Sequence, residues 1–262
     1  MKKFKASSYA LPYVIYCSIF VVLPLILIAV YAFKDSSGNF TLGNFLTFVQ
    51  QPLAINVFIY SIGIAMLTTL ICILLGYPAA YILSHRELGG KEMMLLLFIL
   101  PMWVNMLIRT LATVSLFDIL NIPLGQGALL FGLVYDFLPF MIFPIYNTMQ
   151  KIDNNLVEAA EDLGANHLQV FLKVILPLSL PGVVTGITMV FLPTISTFAI
   201  SELLTMNNIR LFGSIIQENI MLSDTMNYGA ALSFLMLIII GATSFLCSEK
   251  DNAELNEGGI VR

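Results

Sequence analysis

The sequence predicts an all-α membrane protein with six transmembrane helices, and three observations predict it. Of its 262 residues, 58% are hydrophobic and only 11% charged, with a mean hydropathy of +0.91. A soluble domain carries about 25% charged residues, so this chain has too little polar side chain to coat a water-facing globule, and lipid must solvate much of its surface. Six apolar runs are each long enough to cross a hydrocarbon core about 30 Å thick. The basic residues flank those runs asymmetrically.

The first run, Ala10–Phe33, follows Lys2, Lys3 and Lys5 as a signal peptide would. It is too long for a signal h-region and lacks an A-x-A site, so it reads as an uncleaved first span. The connection 34–56 opens on a turn cluster, Asp35-Ser36-Ser37-Gly38. The later runs are Val57–Ser84, Met93–Phe117, Gly127–Met149, Gly182–Leu204 and Tyr228–Cys247. With the N-terminus inside, the inner side holds Lys2, Lys3, Lys5, Arg86, Lys91, Lys151, Lys173, Lys250 and Arg262. The outer side holds Lys34 and Arg210, and Arg109 falls within the third span. That bias predicts both termini, and the polar segment 150–181, in the cytoplasm. No internal repeat or second domain is apparent, so residues 1–262 read as one transmembrane domain.

Several function classes are disfavoured. There is no basic stripe for nucleic acid. Cys17, Cys72 and Cys247 sit in apolar runs without metal-ligand spacing and read as small hydrophobes. His85 and His167 fall in loops, and no metal site is expected. No H-E-x-x-H, G-x-S-x-G or membrane carboxylate pair points to an intramembrane enzyme, and no phosphate loop equips the chain to hydrolyse ATP. A stand-alone secondary carrier is disfavoured by a single mid-span acid and the lack of related halves.

The polar segment carries the strongest pattern: Glu158-Ala159-Ala160, three residues, Gly164, nine residues, then Val174-Ile175-Leu176-Pro177. Asn155 and Glu158 read as an N-cap with its reciprocal partner, and Gly164 as a left-handed stop. Asn166 and Gln169 repeat the capping signature, and Pro177 reads as the end of a second helix. Two short helices at a fixed angle follow. A two-turn helix is marginal alone in water, so it is either a docking element or a solvated hairpin. Small Ala159 and Ala160 permit close backbone approach, while Glu158, Glu161 and Asp162 offer charge to basic partners.

This spacing resembles the EAA loop of ABC importer permeases, with Val174 at the usual Ile position. The resemblance implies a type I importer permease (MetI-like) fold and a non-catalytic subunit of a bacterial cell-membrane transporter. It implies a coupling role for Glu158, Ala159, Ala160, Gly164, Leu176 and Pro177 in a groove of a partner ATPase. Two ATPase copies would use ATP and Mg, with no cofactor in this chain. Further motifs resemble the spermidine/putrescine permease subfamily and its B-type subunit. These are Leu138-Pro139-Phe140 with Pro144 and Tyr146, Pro101 and Trp103 before Leu107-Ile108-Arg109-Thr110, and Phe191-Leu192-Pro193 before Ser201-Glu202-Leu203-Leu204. Glu202 stands where that subfamily is expected to have Asp. The resemblance further implies a second homologous permease and an extracytoplasmic polyamine-binding protein. Iron(III) and thiamine permeases share much of this frame and are the alternative cargo classes.

A cationic cargo agrees with the residues themselves. Asp136 lies roughly 14 Å into the fourth span at about 1.5 Å per residue, where an ionisable group marks a pathway or a partner. Tyr135, Phe137 and Phe140 put rings near it, which suits alkyl-ammonium ions. Asp118 and Glu202 fall near outer span ends, giving an acidic entry and an acidic waist. Two readings of Asp136 stay open: it meets cargo, or it pairs with Arg109, which could instead snorkel. Trp103, mid-span, reads as core packing or as a pathway residue. Pro139, Pro144 and Pro193 read as hinges or tolerated bends.

Overall fold

The computed structural model describes residues 11–35, 37–84 and 90–257. Lys2, Lys3, Lys5, Ser36, His85, Arg86 and Arg262, and the side chains of Lys91, Cys247 and Lys250, lie outside the described residues. The helices in chain order are α1 (Pro12–Ala32), α2 (Gly43–Gln50), α3 (Pro52–Ser84), α4 (Lys91–Ile99), α5 (Met106–Ile119) and α6 (Gln126–Met149). They continue with α7 (Asn154–Asp162), α8 (His167–Ser196), α9 (Ala199–Thr205), α10 (Phe212–Met221) and α11 (Met226–Glu257). Among the described residues the only β-type pairing is an isolated bridge between Lys34 and Phe40. By length and composition α1, α3, α6, α8 and α11 can each cross a membrane, and α4 with α5 makes a sixth, broken crossing.

That break corrects the expectation of one continuous third span. Met93–Trp103 and Met106–Ile119 meet at 98°. Pro101 removes a helical donor, and the chain tightens into a 3₁₀ turn over Leu100–Trp103. Val104 is extended, and the Asn105 side chain then caps α5 by accepting from the Leu107 N–H at 2.8 Å. Trp103, at the break, is 83% exposed, which removes it from the core of this chain.

The fifth span also differs. Helical turns run unbroken from His167 to Ser196 rather than over 182–204. Thr197 is extended and ends α8, and α9 is a separate short helix. Pro177 does not end a helix: it sits in the first turn of Leu176–Ser196, directly after a π turn over Phe171–Ile175. Pro139, Pro144 and Pro193 likewise lie inside helices that continue past them.

The chain forms two compact units. Among the described residues, one comprises those up to Asn56 together with Ile215–Ile239. Its centre is Ala32, Ala230 and Ala231, against which Phe33, Phe45 and Phe234 pack, with ring centroids 5.1–6.3 Å apart. The expected turn is present: Asp35 Oδ1 accepts from the Ser37 and Asn39 N–H groups, each at 2.9 Å, and Gly38 has φ +85.

The other unit comprises the described residues of Val57–Ser214 and those from Ile240 onward. Its core runs along α6 through Leu129, Leu133, Met141, Ile142 and Ile145, and is completed by Val190, Ile200 and Leu204. Between α6 and α8 the approach is close because Gly182 and Gly186 lie in a G-x-x-x-G row on α8. A Cβ on Gly182 would lie 2.8 Å from the Pro144 carbonyl oxygen and 2.6 Å from Thr148 Oγ1. One on Gly186 would lie 2.6 Å from Met141 Sδ. Small residues at i and i+4 let membrane helices touch backbone to backbone, where hydrophobic driving force between them is absent. Buried Ser179 extends this seam and bonds Tyr77 Oη at 2.8 Å.

Gly182→Val should therefore cost about 1–3 kcal/mol by overpacking and lower the thermal midpoint of the detergent-purified protein. Gly186→Ala should cost less, because the thioether of Met141 can swing aside.

Candidate functional site

Two constellations carry functional potential: the hairpin at residues 150–181 and a buried charge pair on α5 and α6. In the hairpin, the N-cap is Asp153 rather than Asn155. Its carboxylate accepts from the Asn155 N–H at 3.0 Å, and Asn155 already lies inside α7. Both are Asx residues; the ψ of 124 at Asp153 leaves it as the extended one that precedes the helix. Gly164 has φ +85. Its N–H reaches the Glu161 carbonyl at 2.8 Å, and the Ala165 N–H reaches that of Ala160 at 3.0 Å. This pair of bonds is the Schellman stop. The second capping box forms as expected: the Gln169 N–H donates to Asn166 Oδ1 at 2.9 Å, and the Asn166 N–H to Gln169 Oε1 at 3.0 Å.

One face of α7 looks onto a cavity of about 330 Å³ lined by Tyr81, Ser84, Met149, Val157, His167 and Val170 among others. Glu158 and Glu161 also border it. The opposite face is solvent-directed and apolar. Leu156, Ala159 and Leu163 recur at i, i+3 and i+7, and all are exposed, Leu163 by 90%. Leu168 and Leu172 continue the exposed apolar surface on α8. Glu158 and Asp162 are exposed on the same helix, and Glu161 lies 3.6 Å from His167. Ala160 and Leu176 are half-buried, and Pro177 is exposed. The acids and alanines stand out by their motif, whereas these leucines are marked in the sequence only by their helical spacing.

The second constellation is inside the bundle. Asp136 is 1% exposed and Arg109 7%. Arg109 Nε lies 3.3 Å from Asp136 Oδ1, and Thr110 Oγ1 lies 3.3 Å from Asp136 Oδ2. The guanidinium carbon sits 5.9 Å from the Tyr135 ring centroid. Arg109 thus does not snorkel, and the ring expected to serve a cargo cation already faces an internal one. Phe137 is buried against Phe140 at 6.2 Å. The pair is incompletely satisfied: Arg109 Nε and Nη1 and Asp136 Oδ1 make no hydrogen bond in the proper direction. Thr110 Oγ1 also lies 2.9 Å from the Met106 carbonyl, so its single proton has two acceptors. Asp118 is exposed in the last turn of α5, and Glu202 is half-buried in the first turn of α9. Neither forms an ion pair among the described residues, so the structure joins Asp136 to Arg109, Thr110 and Tyr135 and not to the other two acids.

Breaking a buried pair by removing one partner leaves an orphaned charge and costs about 3–5 kcal/mol. Asp136→Asn and Arg109→Gln should each lower folded protein level and thermal midpoint. The double variant should recover most of the loss, as read by a double-mutant cycle in detergent.

Residues 2–248 match the family described as "Binding-protein-dependent transport system inner membrane component". Among curated relatives, the spermidine/putrescine transport system permease protein PotB of Haemophilus influenzae is 34% identical, covering 87% of each chain. PotB of Escherichia coli K12 is 34% identical, over 85% of this chain and 89% of that one. Among solved structures, a bacterial ABC transporter involved in import of the acidic polysaccharide alginate has a chain with TM-score 0.70 and 17% identity, covering 95% of this chain and 99% of its own. The MetNI methionine ABC transporter in inward-facing form gives TM-score 0.63 and 17% identity, over 77% and 95%. The fold is thus that of ABC importer permeases, and the chain belongs to the family of inner-membrane components of binding-protein-dependent transport systems.

Proposed function

We propose that this chain is a polyamine-translocating permease subunit of an ATP-driven importer. The observation that carries this reading is its 34% identity, along most of its length, to permeases of spermidine/putrescine systems. Such a subunit forms half of the translocation path with a second homologous permease and receives cargo from an extracytoplasmic polyamine-binding protein. Two ATPase copies, using ATP and Mg, drive it from the cytoplasm, and both termini of the chain face that side.

The hairpin is the element through which the ATPase acts. Its exposed Leu156, Leu163 and Leu168, with Glu158 and Asp162 beside them, suit a groove with an apolar floor and a basic rim. Because helical turns run unbroken from His167 to Ser196, displacement of the hairpin moves a membrane-crossing rod. Asp118 and Glu202, which form no ion pair among the described residues, attract the cation. Tyr135, partly exposed beside the Arg109–Asp136 pair, and exposed Trp103 supply rings along the path. Asp136 itself holds Arg109, so its contribution to cargo passes through the position of Arg109 rather than through direct contact.

The test is uptake of labelled spermidine and putrescine, with iron(III) and thiamine as controls, in cells carrying or lacking the chain. Polyamine uptake should depend on the chain, and iron or thiamine uptake should not; the reverse pattern removes the cargo assignment. Gly164→Val forces a β-branched residue into left-handed backbone, at a cost of about 1 kcal/mol or more. It should insert normally yet abolish uptake and the stimulation of ATP hydrolysis. Leu163→Glu should do the same without any backbone strain.

Orientation has its own readout. In a background without native cysteines, single cysteines replacing Ser37, Asn121 and Asn207 should react with an impermeant thiol reagent added to intact cells. Those replacing Ala165 and Asn252 should react only after lysis, and labelling of the Ala165 position from outside would place the hairpin away from ATP.

A further inference from the structure

Helix α2 lies between two membrane-crossing helices, α1 and α3, and is too short to cross itself. Its surroundings divide it into sectors. Phe45 packs on Phe33 and Phe234, and the Asn44 side-chain amide donates to the Ala32 and Lys34 carbonyls at 3.0 and 2.8 Å. That sector is tied to protein. Leu42, Leu46 and Val49 recur at i, i+4 and i+7, and all are about three-fifths exposed. Leu53, in the first turn of α3, is also exposed. Thr47 and Gln50 form a polar edge. No charged residue occurs between Thr41 and Asn56, so nothing in this stretch equips the apolar row for bulk water.

A second feature adjoins the row. Ala29, Val30 and Phe33 of the α1 end, with Phe40, Thr41 and Leu42, line an apolar groove of about 430 Å³. Lys34 stands at its edge, with Nζ 5.7 Å from the Phe40 ring centroid. The nearby Asp35 carboxylate is engaged by the backbone N–H groups of Ser37 and Asn39. Hydrocarbon lining beneath one ammonium group complements an amphiphile with an anionic head, and α2 leads after a single residue into α3, which is long and apolar enough to cross a membrane.

We propose that this surface seats a phospholipid: an acyl chain lies in the α1–α2 groove and along Leu46 and Val49, and the phosphate rests on Lys34. α2 is then an interfacial helix, protein on one flank, acyl chains on the second and head groups on the third, lying in the bilayer surface as amphipathic helices do, with Lys34 rather than its own residues supplying the charge. The leaflet is the outer one under the orientation proposed above, but the lipid contact does not depend on that orientation or on the cargo.

The test uses the full chain, purified with the subunits that accompany it and reconstituted in nanodiscs. Single cysteines replacing Leu46, Val49 and Thr47 carry an environment-sensitive fluorophore. Phosphatidylglycerol brominated on its chains should quench the labels at 46 and 49, while aqueous iodide should quench the label at 47. Equal iodide quenching at all three positions would overturn the proposal in favour of a solvated helix. Shielding of 46 and 49 from both quenchers would overturn it in favour of a protein partner. Lys34→Gln should reduce co-purified anionic phospholipid without changing the quenching at 46 and 49; unchanged lipid retention would remove the phosphate contact. Spermidine uptake, measured in parallel, fails or succeeds independently of these readings.

Discussion

The contact between α6 and α8 is the constraint on which the larger unit depends. Lipid tails are as apolar as leucine, so membrane helices are held together by close packing and by interhelical hydrogen bonds rather than by the hydrophobic effect. Gly182 and Gly186 remove the side chains that would hold the helices apart, and Pro144, Thr148 and Met141 fill the space. Val190 and Thr194 continue the buried row one and two turns on. Two consequences follow from this one seam. α6 is fixed in rotation, which aims Asp136 at α5, and α8 is fixed along its length, which sets where the hairpin at its beginning emerges. A single added methyl group at Gly182 disturbs both.

The Arg109–Asp136 pair depends on that aim. Taking two charges from water costs several kcal/mol per ion after relaxation. The attraction across 3.3 Å offsets this only if the remaining donors and acceptors find partners, and here three polar atoms do not. The pair therefore adds little to stability compared with an apolar pair of the same volume, although removing one member alone is severe. Beyond the break at Leu100–Trp103, the salt bridge lies one turn into α5 and ties that face of the helix to α6.

Much of this was legible in the sequence. Length and apolarity find the crossings because lipid demands both. Gly164 and the Asn166–Gln169 box are local devices whose bonds span at most five residues, so spacing alone is enough to place them. What was missed needed information from outside the segment. The 98° break is written in Pro101 and Asn105, but apolar composition on both sides masks it. Asn155 and Asp153 carry the same capping chemistry, and only the backbone angles separate them. The Arg109 alternatives could not be resolved from its depth in the span, because the choice depends on the rotation of two helices. The G-x-x-x-G row and the exposed leucines of the hairpin are written in the sequence as spacing alone, and only the packing shows that one is buried and the other exposed.

Pro177 teaches the most, because a correct rule gave the wrong boundary. Proline removes a donor and its ring clashes with the carbonyl four residues back, which ends most helices. Here the preceding turn widens: the Leu176 N–H reaches back five residues to the Phe171 carbonyl, and the helix resumes. The same device stands at the other Leu-Pro pair that follows a π turn, where the Leu23 N–H reaches Ser18 just before Pro24. One inserted residue per turn relocates the carbonyl that the ring would strike, so the helix runs on past the proline. The consequence is mechanical. A helix ended at Pro177 would have left a joint between hairpin and membrane. A helix carried through it, about 45 Å long at 1.5 Å per residue, connects the Asn166–Gln169 box at one end to Thr194–Ser196 at the other without a break.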